Sequence, residues 1–363
     1  PYGRAEYCID ILRQMFSVEG LHFRNKTGHG YTGIQKYFGK KLLGQRFDNL
    51  SAACQQVFEE LSLQWVHNAI EETGIRKVCG AGGAFLNVKA NQLIRESDEV
   101  EAFYAYPASD DGGCPIGTAI LGYLDLCREN DTDSTLNLPR DMYLGLEFSE
   151  AEMEQAIKDY GLPYKRMQSV PDEVGSMLAE GHIVARFDGR EEVGPRALGN
   201  RTIMADPRDL RVIRKLNFAI KKRDFWMPFA ASILEEDKDR YIKDCSDWAY
   251  WMIDAFHTTP EGVQDIVAGT HPFDETVRPQ VVNELNPGYR DIIRAFKART
   301  GVGSVLNTSF NLHGFPIVGT PKDALYTLEN SALDALALGP FLVTRKDSQQ
   351  FLSETRERES VSS

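Results

Sequence analysis

Eleven arginines and lysines lie between Ala185 and Arg223 against five acidic residues, so this segment has a net charge of +6 in a chain whose total is −12. Arginine forms paired hydrogen bonds with phosphate and carboxylate groups. The glycines and the proline of GREEVGPRALGNR predict a stiff loop, on which long side chains lose less entropy when they bind. The segment is short and lacks interleaved aromatics, which favours a compact polyphosphate ligand over nucleic acid. The alternative is a solvated basic surface paired with the nearby acids.

Two later stretches carry polar side chains that could serve a ligand. THPFDETVRPQ contains His271 and Arg278, and NTSFN (residues 307–311) follows a predicted strand at 304–306. Polar residues at the end of a buried strand need hydrogen-bonding partners, and a ligand can supply them. The alternatives are a turn in which NTSFN bonds its own backbone and a purely structural histidine.

Two glycine-rich turns in the first third could bind a nucleotide or a cation. GAGG (residues 80–83) joins a predicted strand to a predicted helix, so its backbone N–H groups could approach a phosphate or a sugar, although it lacks the lysine of a P-loop. In SDDGG (residues 109–113) two adjacent carboxylates could hold a hard cation or a ribose. The alternatives are a tight strand-to-helix turn and an N-capping acid.

These motifs need elements to position them. Apolar residues recur every three or four positions from Phe47 to Ile70 and predict a helix that ends at Gly74, whereas residues 1–45 predict no element. The other elements predicted in this half are strands at 76–79 and 99–104, a helix at 87–95 and a buried helix at 116–126.

The polar stretch 128–147 predicts a domain boundary. We therefore expect domains at 1–145 and 146–345 and a loosely attached tail at 346–363. In the second domain, Ser149 and Glu152 predict a capping box. The remaining predicted elements are a helix at 171–180 and strands at 181–187 and 342–344. We expect a two-layer α/β arrangement for both domains.

Composition excludes several classes of protein. No run of about 18 apolar residues is present to span a membrane, and charges interrupt the first twenty residues, unlike a signal peptide. The six cysteines are scattered without a CxxC pair, which predicts reduced thiols and a cytoplasmic location. The negative total charge argues against binding to nucleic acid or anionic lipid.

Taken in order, the motifs resemble the O-carbamoyltransferase family of antibiotic biosynthesis and nodulation-factor decoration. The matching stretches span residues 79 to 326 and are GAGGAFLNVKANQLI, YPASDDGGCPIGTA, GREEVGPRALGNRTIMADPR, KKRDFWMPFA, THPFDETVRPQ and LNTSFNLHGFPIVGTPKDAL. The resemblance implies an α/β protein, with part of an actin/Hsp70-like (Kae1-like) transfer domain followed by a YrdC-like α/β domain. It also implies that the N-terminal part of the transfer domain is absent here and could be supplied by a separate chain.

The same resemblance implies a two-step reaction. The YrdC-like domain would take carbamoyl phosphate and ATP, with Mg²⁺, and form carbamoyl-adenylate. The transfer domain would then move the carbamoyl group to a hydroxyl of a small-molecule acceptor at a site that holds a divalent metal, iron. The alternatives are an actin-like kinase or ATPase, which rests on the two glycine-rich turns alone, and an RNA-binding YrdC-like module.

By position, the resemblance assigns residues to three kinds of site. The expected catalytic residues are Arg196, Arg201, Lys221, Arg223, His271 and Arg278. The expected nucleotide- and cofactor-binding residues are Gly82, Gly83, Asn87, Ser309 and Asn311. The expected metal ligand in this chain is Asp111.

Overall fold

The computed structural model describes residues 5–136, 140–221, 224, 227–245 and 249–348. The chain forms two compact units, residues 1–109 and residues 110–363. The functional division predicted at residue 145 stays a prediction, and most of the predicted tail, residues 349–363, lies outside the described residues. Over the described ranges, no helix is long and apolar enough to cross a bilayer.

The first unit is built around one long helix. Its elements are α1 (Glu6–Met15), β1 (Phe16–Glu19), β2 (His22–Asn25), α2 (Tyr31–Lys41), α3 (Phe47–Thr73), β3 (Lys77–Gly80), α4 (Val88–Arg95) and β4 (Ala102–Ala105). Leu12 and Met15 of α1 pack against Ala53 and Val57 of α3. The strands form an antiparallel pair, β1 with β2, and a parallel pair, β3 with β4.

Several predictions for this unit are confirmed. Helix α3 begins at Phe47 as predicted and ends at Gly74, whose φ of 70° is the left-handed conformation that glycine adopts without strain. Helix α4 follows the glycine-rich turn, with Asn87 as its N-cap. By contrast, α1, β1, β2 and α2 lie in the stretch for which the sequence predicts no element.

The second unit alternates helices and strands. Its elements are α5 (Cys114–Glu129), α6 (Glu150–Tyr160), β5 (Tyr164–Arg166), α7 (Val170–Ala179), β6 (Val184–Phe187), β7 (Arg201–Ala205), α8 (Arg211–Arg214), a π-helical segment (Lys215–Lys221), β8 (Ala230–Leu234), α9 (Lys238–Tyr241), β9 (Phe256–His257), α10 (Pro260–Asp265), β10 (Thr276–Val277), β11 (Pro279–Val282), α11 (Pro287–Thr300), β12 (Ser304–Ser309), α12 (Pro321–Glu329), β13 (Ala335–Leu338) and β14 (Phe341–Val343). Helices α6, α7, α11 and α12 each begin at a side chain that caps the helix, namely Ser149, Ser169, Asn286 and Thr320. The capping box predicted at Ser149 is present.

Eight strands of this unit form one mixed sheet in the order β11-β8-β12-β7-β6-β13-β14-β5. The sheet confirms the predicted α/β class. Strands β11 and β8 are parallel, as are β13 and β6, and the other neighbouring pairs are antiparallel.

Helices cover both faces of this sheet. Alternating side chains of β6 and β7 divide between two cores, with Val184 and Met204 in one core and Ala185 and Ile203 in the other. Helices α7 and α11 supply the first core, and α6 and α12 supply the second. The expected two-layer arrangement is therefore wrong for this unit, which has three layers.

The helix predicted to be buried at 116–126 is present as α5, but the prediction of burial is wrong. Cys127 is its one buried side chain, and Leu121 and Leu126 are 64% and 60% exposed. An apolar sequence indicates that a helix can be buried, whereas burial also requires a covering element.

Candidate functional site

The loops that carry half of the predicted site residues meet at one edge of the eight-stranded sheet, where the strands end. Strand β6 ends at Phe187 and β7 begins at Arg201, so loop 188–200 leaves from this edge. Strand β12 runs antiparallel to β7 and β8, which places its last residue, Ser309, and the start of β8 at the same edge. Strand β11 is parallel to β8, so Arg278 enters the sheet there as well. The strand order thus gathers residues from four separate stretches of sequence.

Lys221, Ser309 and Asn311 come into direct contact at this edge. Lys221, which is 3% exposed, ends the π-helical segment, and its Nζ donates to Ser309 Oγ over 3.1 Å. The same ammonium contacts the Ser309 carbonyl oxygen and Asn311 Oδ1. The Ser309 hydroxyl donates to Asn311 Oδ1 over 2.8 Å. These oxygen partners hold the ammonium of Lys221 at a fixed point.

Arg196 is a half-buried cation on loop 188–200. Burial lowers the pKa of its guanidinium, and the carboxylate of Asp110 acts in the opposite direction. Its Nε is buried and has no hydrogen-bond partner among the described residues. A buried N–H group without a hydrogen-bond partner is costly, and an anionic ligand would supply the missing acceptor.

Arg201 has a different environment from Arg196, although both were predicted to contact substrate. Its side chain is completely buried, and its guanidinium lies 3.6 Å from the ring centre of Phe187. Its two Nη atoms donate over 3.0–3.1 Å to four backbone carbonyls, those of Leu146, Asp188, Gly189 and Asn200. These bonds use the donors that would bind a phosphate, so in this structure Arg201 holds the loop.

A buried polar network, which was not predicted from the sequence, fixes the next residues of the loop. Asn307 Nδ2 donates to the Ala197 carbonyl over 3.0 Å and also contacts Ser232 Oγ and Gln280 Oε1. Gln280 Nε2 in turn donates to the Leu198 carbonyl over 2.6 Å. Strands β12, β8 and β11 thus anchor the backbone directly after Arg196. The sequence signal for this network is the presence of polar residues within strands that are otherwise apolar.

Gly199 allows the loop to lie against α11. Its φ is +114°, and a Cβ built there would lie 2.4 Å from the ring of Tyr289. Arg186 secures the same turn by donating to the Gly199 carbonyl and to Asn200 Oδ1, both over 2.7 Å. Only glycine fits this position without displacing the tyrosine.

A cavity of about 320 Å³ opens where β6 and β13 end. Arg186 and Asp188 form an ion pair of 2.8 Å in its wall, and Phe148 and Pro340 supply apolar surface. This combination of apolar walls and charged groups is typical of ligand-binding cavities.

His271 lies in a turn and is 39% exposed. Its Nδ1 is 3.2 Å from Asp274 Oδ1, and its backbone N–H donates to the Thr276 carbonyl. These partners belong to its own turn, as the structural alternative for this histidine predicts. Arg278 is half-buried at the start of β11, and Arg223 lies outside the described residues.

The predicted nucleotide residues of the first unit form a tight turn. Gly82, with φ of +107°, donates its N–H to the Ser109 carbonyl over 2.7 Å, and Gly83 begins a short 3₁₀ turn. Asn87 caps α4 through Ala90 N and exchanges two amide hydrogen bonds with Gln55.

Asp111 is exposed on a 3₁₀ turn, Asp111–Gly113. Its neighbour Asp110 accepts from Gly112 N over 3.1 Å and so acts as the capping acid that was one alternative. Within the described part of the chain, no three His, Cys, Asp or Glu side chains form a group that could hold a metal. These residues alone do not fit the expected iron.

Two family models match this chain. The model described as carbamoyltransferase N-terminus matches residues 9–120, and the model described as carbamoyltransferase C-terminus matches residues 175–345.

Curated relatives agree with these matches. An uncharacterised protein of Methanocaldococcus jannaschii is 35% identical over 349 residues, which cover 94% of this chain and 54% of that protein. Nodulation protein NolO of Bradyrhizobium diazoefficiens is 33% identical, with 83% of this chain and 55% of that protein covered. The 3'-hydroxymethylcephem-O-carbamoyltransferase of Amycolatopsis lactamdurans is 28% identical, with 71% and 47% covered. The chain spans about half the length of these relatives.

Proposed function

This chain belongs to the carbamoyltransferase family, and from that premise we propose that its second unit binds carbamoyl phosphate and Mg²⁺-bound ATP and forms carbamoyl-adenylate. We place both substrates at the sheet edge that carries Arg196, Lys221, Ser309 and Asn311. The carbamoyl group then passes to a hydroxyl of a small acceptor. The name of the cephem relative states an O-carbamoyl transfer, which supports a hydroxyl acceptor.

The proposed chemistry balances in three steps. Hydrolysis of carbamoyl phosphate gives carbamate and inorganic phosphate. A carbamate oxygen attacks the α-phosphorus of ATP, which forms carbamoyl-adenylate and releases pyrophosphate. The acceptor hydroxyl attacks the carbamoyl carbon and releases AMP, and its proton passes to solvent. The first two steps move charge among phosphate oxygens, so they depend on fixed cations rather than on a covalent enzyme intermediate.

The observation that carries the proposal is the guanidinium of Arg196, whose Nε is buried without a hydrogen-bond partner among the described residues. Arg196 lies on a loop whose backbone is anchored on both sides, and it makes no hydrogen bond or ion pair with the residues that the structure describes. Lys221 is held at the same sheet edge by Ser309 and Asn311. Arg196 can bind a phosphate directly, whereas Lys221, whose ammonium donors contact Ser309 and Asn311, adds positive potential at the same sheet edge.

The test is exchange of labelled pyrophosphate into ATP. We expect the chain to catalyse this exchange in the presence of carbamoyl phosphate and Mg²⁺, because formation of the adenylate is reversible. Omission of carbamoyl phosphate is the control and should abolish the exchange. Release of ADP that does not require carbamoyl phosphate would instead support the kinase or ATPase alternative and overturn the proposal.

A further inference from the structure

We propose that Glu192 is a positioning residue, which holds the backbone after Arg196 so that the Arg196 guanidinium is presented to an anionic substrate. The inference rests on the proposed function of Arg196 and adds a residue to it. Glu192 lies in the middle of a basic segment, where its charge alone would be taken as a surface counter-ion.

Glu192 is almost completely buried and its contacts are with backbone. Its side chain is 5% exposed, and Oε1 accepts hydrogen bonds from three backbone N–H groups, those of Leu198, Asn200 and Arg201, over 2.6, 3.1 and 3.1 Å. Three donors that converge on one carboxylate oxygen form an anion-binding turn, and the anion here is a side chain of the same loop.

The position of Glu192 in the sequence gives these bonds their effect. The residue lies four positions before Arg196 and binds the backbone two to five positions after it. The segment that carries Arg196 is thus closed into a short ring by its own carboxylate. Val193 N donates to the Met142 carbonyl over 2.7 Å, so the ring is also tied to a neighbouring segment.

The negative charge of Glu192 also acts on a neighbouring buried cation. Arg201 is buried nearby, and burial lowers the pKa of its guanidinium whereas the Glu192 carboxylate favours the charged form. Glu192 therefore helps to keep Arg201 charged, and Arg201 in turn holds four carbonyls of the same region. The Oε2 atom of Glu192 is buried without a hydrogen-bond partner among the described residues. A glutamine at this position could therefore keep the bonds to Oε1 with its amide oxygen.

A fixed loop reduces the entropy that Arg196 loses when it binds an anion. Glu192 should consequently affect anion binding through Arg196 and by no other route. A residue that only stabilises the fold would lower the melting temperature without this dependence.

The experiment is a double-mutant cycle on binding of carbamoyl phosphate, measured by calorimetry with Arg196→Ala, Glu192→Ala and the double variant. We expect Arg196→Ala to weaken binding by about 10- to 150-fold and Glu192→Ala by about 10-fold or more. The double variant should bind no more weakly than Arg196→Ala alone. Glu192→Gln should recover part of the affinity, and Val174→Ala in the core is the control that lowers stability without changing affinity.

The possible outcomes distinguish a failure of the role of Glu192 from a failure of the role of Arg196. Unchanged affinity in Arg196→Ala would overturn the assignment of Arg196. If Arg196→Ala weakens binding but the double variant loses affinity by the product of the two single losses, the role of Glu192 is overturned. If Glu192→Ala does not fold, the same cycle with Glu192→Gln decides, since a smaller coupling of the same sign is expected.

Discussion

The ammonium of Lys221 donates to the hydroxyl of Ser309 over 3.1 Å, although 88 residues separate them in the chain. The contact forms because the last residues of β12 and the first residues of β8 lie at the same edge of the sheet. Lys221 thereby joins the end of a helical segment to the end of a central strand. Its charge is held at the sheet edge by oxygens of Ser309 and Asn311.

We predict that Lys221→Met reduces carbamoyl phosphate-dependent pyrophosphate exchange by about 100-fold, since a fixed cation is worth about 2–3 kcal/mol to a developing negative charge. Lys215→Met is the matched control. Lys215 begins the same π-helical segment, but its ammonium pairs with Asp334 over 2.7 Å, so this variant should retain the exchange. Equal losses in the two folded variants would contradict the role of Lys221.

We predict that Arg196→Ala weakens carbamoyl phosphate binding by about 1.5–3 kcal/mol, the contribution of a charge-assisted hydrogen bond. Arg196→Lys should restore only part of the affinity, because an ammonium cannot make the paired bonds of a guanidinium. Arg211→Ala serves as the control, since Arg211 is in the same basic segment but its side chain is 91% exposed and pairs with Asp209. If the effect were only net charge, titration calorimetry would show similar losses for Arg196→Ala and Arg211→Ala and no loss for Arg196→Lys.

Local signals in the sequence predicted the elements, whereas the site required the strand order. The repeat of apolar residues gave α3 and its end at Gly74, and the Ser149 capping box gave the start of α6. Nothing local shows that β12 lies between β7 and β8, and that pairing is what brings Lys221 to Ser309. The roles of Glu192 and Arg201 were hidden for the same reason, because their partners are backbone groups that carry no residue type.

We predict that Gly199→Ala destabilises the second unit by about 2–4 kcal/mol, which combines backbone strain at positive φ with overpacking against Tyr289. Gly181→Ala is the comparison, because Gly181 also has a positive φ, +87°, but open space around its Cβ position. It should cost only the strain, about 1–2 kcal/mol. Urea unfolding would measure the loss of stability in both variants. Equal losses would show that the contact with Tyr289 adds nothing to the backbone strain.

We predict that the ion pairs between Glu236 and two arginines of α11 make the second unit sensitive to acid. Glu236 pairs with Arg290 over 3.1 Å and with Arg294 over 2.9 Å. Burial alone would raise the pKa of the Glu236 carboxyl, but hydrogen bonds from its own backbone N–H and from the two arginines outweigh it and lower the pKa to about 2. A carboxyl whose pKa is depressed on folding stabilises the protein above its unfolded pKa of about 4.3, and this stabilisation is lost as the pH falls towards 2.

The measurement is the free energy of unfolding of the wild type and of Glu236→Gln between pH 7 and pH 2.5. At pH 7 the wild type should be the more stable, because the variant lacks the charge that the two arginines bind. The difference in free energy of unfolding between the wild type and Glu236→Gln should shrink below about pH 4.3, because the wild-type carboxyl becomes protonated whereas the glutamine does not titrate. Glu261→Gln is the control, because it makes the same change of residue at an exposed position of α10, away from the ion pairs of Glu236. A difference between wild type and Glu236→Gln that stays constant over this range would mean that the two arginines do not depress the pKa of Glu236.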